Sequence, residues 1–177
     1  MLDAKKLSAL AKKIRLLILD IDGVMTDGKL YFSATGDSMK AFSTQDGLGL
    51  KMLMQSGIQI AIISGRKSEI VVQRAADLGI TAVYQGYAKK LIALQDCSKT
   101  LNISLSHTAY MGDDIIDIPA LREVGLKLAP PNAMAEVKKM VHYVAKRAGG
   151  DGAVREVCDL ILKSQQLLKT AQQFYGV

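Results

Sequence analysis

The chain has 177 residues, 49% of them hydrophobic, and 23 Lys+Arg against 17 Asp+Glu give a net charge of +6. That length allows one well-buried domain, and no stretch approaches the roughly 20 apolar residues of a membrane span. The basic residues are spread out apart from Lys5, Lys6, Lys12, Lys13 and Arg15, with no aromatics interleaved, which argues against a nucleic-acid partner and suits an anionic small substrate.

Read in chain order, apolar runs alternate with helical patterns, the mark of an α/β fold with a mainly parallel sheet. A helix over about 2–13 precedes a first strand at 15–20. The basic start and apolar run resemble a signal peptide only superficially, because the run is short and acids follow it. Further strands are expected at 59–63, 82–84, 108–111 and 126–129, and 143–145 is a candidate edge strand. Helices are expected near 46–56, 67–78, 88–102, 115–124, 133–140 and 151–164, the last with a continuation towards 174 left open. Residues 29–43 break the alternation and read as a β-hairpin around a glycine-containing turn. An isolated hairpin is marginal alone, so Tyr31, Phe32, Met39 and Phe42 are expected to pack on the domain or on another subunit. With no repeat, low-complexity tract or linker, 1–177 reads as a single domain. Cys97 and Cys158 have no metal-type spacing and read as reduced thiols of a cytoplasmic protein.

The chemistry gathers at strand ends. Asp20 and Asp22 follow the apolar run Leu16-Leu17-Ile18-Leu19, where a strand of an open α/β sheet emerges towards the ligand side. Alternation puts both acids on one face, and two carboxylates sharing a face need a cation or a shared proton. The second strand ends in Ser64-Gly65-Arg66, Lys89-Lys90 opens the helix after the third, and Gly112-Asp113-Asp114-Ile115-Ile116-Asp117 follows the fourth. If the first and fourth strands are neighbours, Asp20, Asp22 and Asp113 converge. Three carboxylates without clustered His or Cys indicate a hard, oxygen-seeking cation, with Mg²⁺ the first choice.

These four groups, in this order, resemble the motifs of the haloacid dehalogenase superfamily over nearly the whole chain. The resemblance implies a Rossmann-like three-layer sandwich of strand order 3-2-1-4-5. It implies Asp20 as nucleophile, forming an aspartyl-phosphate, and Asp22 as general acid, then general base. Mg²⁺ would be held by Asp20, Asp113 and the Asp22 backbone carbonyl, and Ser64 and Lys90 would bind phosphoryl oxygens, with Lys90 preferred to Lys89. Asp117, four residues beyond Asp113, would orient ligands or waters, while Asp114 is open between surface and support. Gly65 adds backbone donors, Asp46 and Gly47 open a helix beside the substrate, and Arg66 and Arg74 are candidates for a substrate carboxylate. His107 and His142 are isolated and carry no expected role.

The stretches between acid pair and second strand, and between Ser64 and Lys90, leave no room for a cap domain. That, with Gln45-Asp46-Gly47-Leu48-Gly49 and Gly149-Gly150-Asp151-Gly152-Ala153-Val154-Arg155-Glu156, resembles the superfamily's capless subgroup of 3-deoxy-D-manno-octulosonate (KDO) 8-phosphate phosphatases. The subgroup implies a phosphorylated acidic sugar of lipopolysaccharide synthesis as substrate, and a cytoplasmic homotetramer with its hairpins at the core. The tail, 165–177, would then lie near a neighbour's site. A nonulosonate 9-phosphate phosphatase and a catalytically idle tetramerisation module of the same fold are the alternatives. Thr26 and Asp27 are expected to fix the turn into the hairpin.

Overall fold

The computed structural model of the chain describes residues 2–34 and 36–177, and the side chains of Asp37 and Ser38 are left aside. Thr35, in the expected hairpin turn, and Met1 lie outside the described residues.

The first strand, β1 (Leu16–Leu19), is wholly buried. It pairs in parallel with β4 (Gln59–Ser64) on one side and β6 (Thr108–Met111) on the other. Beyond them lie β5 (Ala82–Gln85), β7 (Leu126–Ala129) and β8 (Tyr143–Val144), in the order β5-β4-β1-β6-β7-β8. With the hairpin strands set aside, this is the expected order, extended at one edge by the candidate sixth strand.

Every sheet strand is covered on both faces, so its residues divide by parity. Leu17 and Leu19 face one core with Ile60, Ile62, Met111 and Leu128. Helices α1 (Ala4–Ala11), α2 (Thr44–Gln55), α3 (Glu69–Leu78) and α7 (Ala153–Ser164) cover it through Leu7, Leu50, Leu53, Val71, Val157 and Ile161. Leu16 and Ile18 face the other core with Ile63 and Tyr110, under α4 (Lys90–Leu101), α5 (Ile118–Glu123) and α6 (Ala135–Met140). Burying each such Leu or Ile is worth about 1.5–3 kcal/mol. The result is three layers, and the strand order reverses between β1 and β6.

One expectation changes at a helix end, and one left open is decided. The helix expected at 115–124 starts as a 3-10 turn, Ile115–Asp117, before α5. The last helix does not run on to 174. Gln166 adopts a left-handed φ of 62°, and Gln165 donates its side-chain amide to the carbonyls of Ala11 and Ile14, at 3.2 and 2.8 Å. A separate helix, α8 (Leu168–Gln173), then packs back through Ala171. No helix among the described residues is long and apolar enough to cross a membrane.

The hairpin forms as expected from β2 (Tyr31–Ser33) and β3 (Gly36–Met39), apart from the main sheet. Phe42 packs on the first core. Tyr31, Phe32 and Met39 instead remain 41%, 63% and 58% exposed in the single chain.

Candidate active site

Parity also places the acids. The alternation that turns Leu16 and Ile18 towards α4 turns Asp20 the same way, and α4 begins at Lys90. Leu19 pairs with Met111 across β1 and β6, and the Asp20 N–H donates to the Met111 carbonyl at 3.1 Å. The two strands therefore release their chains side by side, Asp20 from one and Gly112-Asp113 from the other. Ligands of open α/β sheets bind at such a reversal of strand order.

Lys90 is 1% exposed, and its Nζ lies 2.7 Å from both Asp20 Oδ1 and Asp117 Oδ1. Burial alone would lower its pKa, but the two carboxylates outweigh that and hold the ammonium above its ordinary value. Two of its three donor hydrogens are thus used, leaving one for a phosphoryl oxygen. Asp117 is fully buried. Its Oδ1 also accepts from the Tyr110 hydroxyl at 2.8 Å, and its Oδ2 accepts from the N–H groups of Asp113 and Asp114 at 3.1 and 3.2 Å. It therefore braces Lys90 and the loop that carries Asp113. Gly112 is required beneath it, since an added Cβ would stand 2.5 Å from the Asp117 Cγ.

Asp20, Asp113 and Asp117 bring carboxylate oxygens within 4.8 Å of one another. Burial, then the Asp117 charge, raises the Asp20 pKa to about 6 against the pull of Lys90. Burial, then Asp20 and Asp117, raises Asp113 to about 8. Asp113 Oδ1 is buried with no hydrogen-bond partner, and a buried polar atom without one is costly. A hard divalent cation between Asp20 and Asp113 fits this donor set and would satisfy that oxygen. Gly23, at φ 93°, makes the approach possible, because a Cβ there would meet Asp113 Oδ2 at 2.0 Å.

The crevice, about 180 Å³, is lined by Asp20, Asp22, Ser64, Gly65, Arg66, Lys90, Asp113, Asp114 and Ile116. It is smaller than the roughly 300–1,000 Å³ of sites that enclose a drug-sized ligand, and is matched to a phosphoryl group with the rest of the substrate outside. A larger hollow of about 520 Å³, lined by Arg15, Gln59, Asn102 and Gln165 among others, holds no carboxylate. Ser64 Oγ accepts from the Arg66 N–H at 3.2 Å. Asp114 is exposed at the rim, where its carboxylate caps the 3-10 turn through the Ile115 N–H.

Three expected substrate residues do not join this crevice. The Asp46 carboxylate is buried and accepts from the N–H groups of Gly152 and Arg155 at 3.3 and 2.7 Å, tying α2 to the start of α7. Gly47 lies against the Arg74 guanidinium. Arg74 stacks on the Phe42 ring and donates to the Ser43 carbonyl at 3.4 Å. The glycine-rich run 149–152 is likewise structural: a Cβ on Gly149 would strike the Gly23 carbonyl at 1.9 Å. Thr26, as expected, fixes its turn, its Oγ1 accepting from the Gly28 N–H at 3.2 Å.

Sequence reasoning missed Lys40, Tyr110 and Asn132. Lys40, one residue past β3, donates from Nζ to Asp22 Oδ1 with its own side chain 2% exposed. Asn132 bridges the Gly23 carbonyl and the Gly149 N–H, each at 2.8 Å, holding the Asp20–Gly23 loop to the run before α7. The signal for Lys40 was a cation set between the apolar hairpin residues Met39 and Phe42. Tyr110 and Asn132 looked like core and loop residues.

A family description, haloacid dehalogenase-like hydrolase, matches residues 79–157. The chain is 48% identical to the KDO 8-phosphate phosphatase of Escherichia coli, over 93% of this chain and 87% of that one. The crystal structure of the corresponding phosphatase of Moraxella catarrhalis, in complex with magnesium, phosphate and KDO, superposes with a TM-score of 0.92 at 44% identity. That match covers 96% of this chain and 98% of the other. A cobalt-bound Haemophilus influenzae phosphatase of the same kind matches with a TM-score of 0.90 at 42% identity, over 94% and 99%.

Proposed function

The chain belongs to the haloacid dehalogenase-like hydrolases and, within them, to the KDO 8-phosphate phosphatase family, and on that premise we propose that it hydrolyses KDO 8-phosphate to KDO and phosphate in lipopolysaccharide precursor synthesis. The observation that carries this reading is the meeting of Asp20, Asp22, Ser64, Lys90 and Asp113 around one phosphate-sized crevice.

Asp20 attacks phosphorus, forming a carboxylate–phosphorus bond as the ester P–O bond breaks, and Asp22 gives its proton to the departing sugar oxygen. Water then attacks the aspartyl-phosphate, loses a proton to Asp22 and releases phosphate with Asp20 restored. Lys90 and Ser64 hold the equatorial oxygens, where charge develops. Mg²⁺, held by Asp20, Asp113 and the Asp22 backbone carbonyl, supplies neutralisation of charge between nucleophile and phosphate. Arg66, at the crevice mouth, and Arg74, beside Gly47 in the first turn of α2, remain the candidates for the sugar carboxylate.

The exposed Tyr31, Phe32 and Met39 support a homotetramer in which hairpins meet and each site is closed by a neighbour. The two buried free thiols suit a reducing compartment, the cytoplasm, and residues 1–177 act as one catalytic domain. Side-by-side kinetics on KDO 8-phosphate and a nonulosonate 9-phosphate test the substrate. A higher kcat/KM for the former is expected, and the reverse order would replace it. Absence of turnover on any phosphate ester would favour the idle module.

A further inference from the structure

Two cations flank the acid–base carboxylate, and both are tied to the hairpin. Lys40 leaves the end of β3 and reaches Asp22 Oδ1. Arg66 stands 3.9 Å from Asp22 Oδ2, with its guanidinium over the ring of Phe32 in β2. The Lys40 side chain is 2% exposed while that of Asp22 is 20% exposed. A lysine on an otherwise exposed ribbon gives up hydration to make this contact, and burying an ammonium is costly unless it is paired. The reacting groups nearby have other partners, since Lys90 is committed to Asp20 and Asp117.

We infer that Lys40 is a positioning residue for Asp22, making hairpin β2–β3 part of the catalytic assembly as well as an association surface. The inference rests on the phosphatase reading above. Asp22 is the only acid of the pair that must meet the leaving oxygen and, later, the attacking water. It lies in a loop, and a carboxylate free to rotate would lose the aim that general acid–base catalysis needs. Misplacement of a catalytic group by about 1 Å can cost 10²-fold. Lys40 holds one oxygen from the hairpin side and leaves the other near Arg66 and the crevice mouth.

The test compares Lys40→Met and Lys40→Arg with wild type in the full-length, Mg²⁺-loaded enzyme. The first substrate is KDO 8-phosphate, whose alkoxide leaving group needs a proton. The second is p-nitrophenyl phosphate, whose phenolate does not. For Lys40→Met, kcat on KDO 8-phosphate should fall about 10- to 100-fold with KM within about twofold. The first-turnover release of p-nitrophenolate should stay near the wild-type rate, followed by slow turnover as the aspartyl-phosphate waits for its general base. Lys40→Arg should recover part of kcat, and adding Lys40→Met to Asp22→Ala should cost little more. Equal losses on both esters in the first turnover would overturn the inference. So would a raised KM with unchanged kcat, which would make Lys40 a substrate ligand, and so would multiplying losses in the double variant. If Lys40→Met does not assemble, the ester comparison on Lys40→Arg decides by the same criteria. Wild type that cleaves only p-nitrophenyl phosphate would refute the substrate reading, and Lys40 would then be judged on that ester alone, where an unchanged first turnover with slowed later turnovers supports the inference and a slowed first turnover overturns it.

Discussion

The strand-end cluster and the hairpin are built on opposite terms. The Asp117 carboxylate alone accepts from Lys90, Tyr110 and the N–H groups of Asp113 and Asp114, buried where β1, β6 and α4 meet. The hairpin touches its own chain mainly through Lys40, Phe42 and the Arg66–Phe32 stack, and its other large side chains face outward. The first region can hold its geometry in an isolated subunit. The second is marginal as a lone ribbon, so what it contributes to catalysis should depend on what covers it.

Substitution at the nucleophile separates the two regions most sharply. Asp20→Asn should lower turnover of any phosphate ester by about 10⁴-fold or more while leaving assembly intact. Wild-type turnover in a Mg²⁺-supplemented assay would remove Asp20 from the mechanism. Asp22→Ala comes next, with about 10²–10⁴-fold lost on an alkyl phosphate and accumulation of phosphorylated protein, visible by intact mass. An unchanged rate with a poor leaving group would count against its role.

The cluster also makes a pH prediction. In the metal-free chain Asp20 and Asp113 have folded pKa values of about 6 and about 8, against an ordinary 3.8. Between those limits the folded state binds more protons than the unfolded one, so stability present below about pH 4 is lost as pH rises towards 8. Added Mg²⁺ competes with those protons and should raise Tm more at pH 8 than at pH 5. An equal rise at both would contradict a site built on these two acids.

The smallest effect on a single subunit's stability is expected in the hairpin. Tyr31→Asp should change it by no more than about 0.5 kcal/mol, as for other exposed positions, yet reduce both assembly in light scattering and kcat. Phe42→Asp, on the core, should lower Tm as well. A fully active monomer at assay concentration would detach the hairpin's apolar face from catalysis.

Much of this was legible in the residues. Buried parallel strands announce themselves as short apolar runs, and strand parity needs no tertiary knowledge, so the strands and the polar groups at their ends could be read directly, while the order of the sheet and the convergence of Asp20, Ser64, Lys90 and Asp113 came from the family resemblance. The contacts that Asp46, Gly47 and Arg74 make within the chain were not legible, because a helix start rich in glycine looks the same whether or not it braces a neighbouring helix. Only the packing of α2 against α7 distinguishes the two.

What the sequence by itself determined is therefore the set of strand ends and the chemistry they carry, because burial and alternation are local properties of the chain. Tertiary structure alone decided which cation serves which carboxylate. Lys90 is fixed between Asp20 and Asp117, Lys40 reaches Asp22 from 18 residues away, and Asn132 joins two loops. A buried charge must find its partner in space, and no spacing along the chain records where that partner lies.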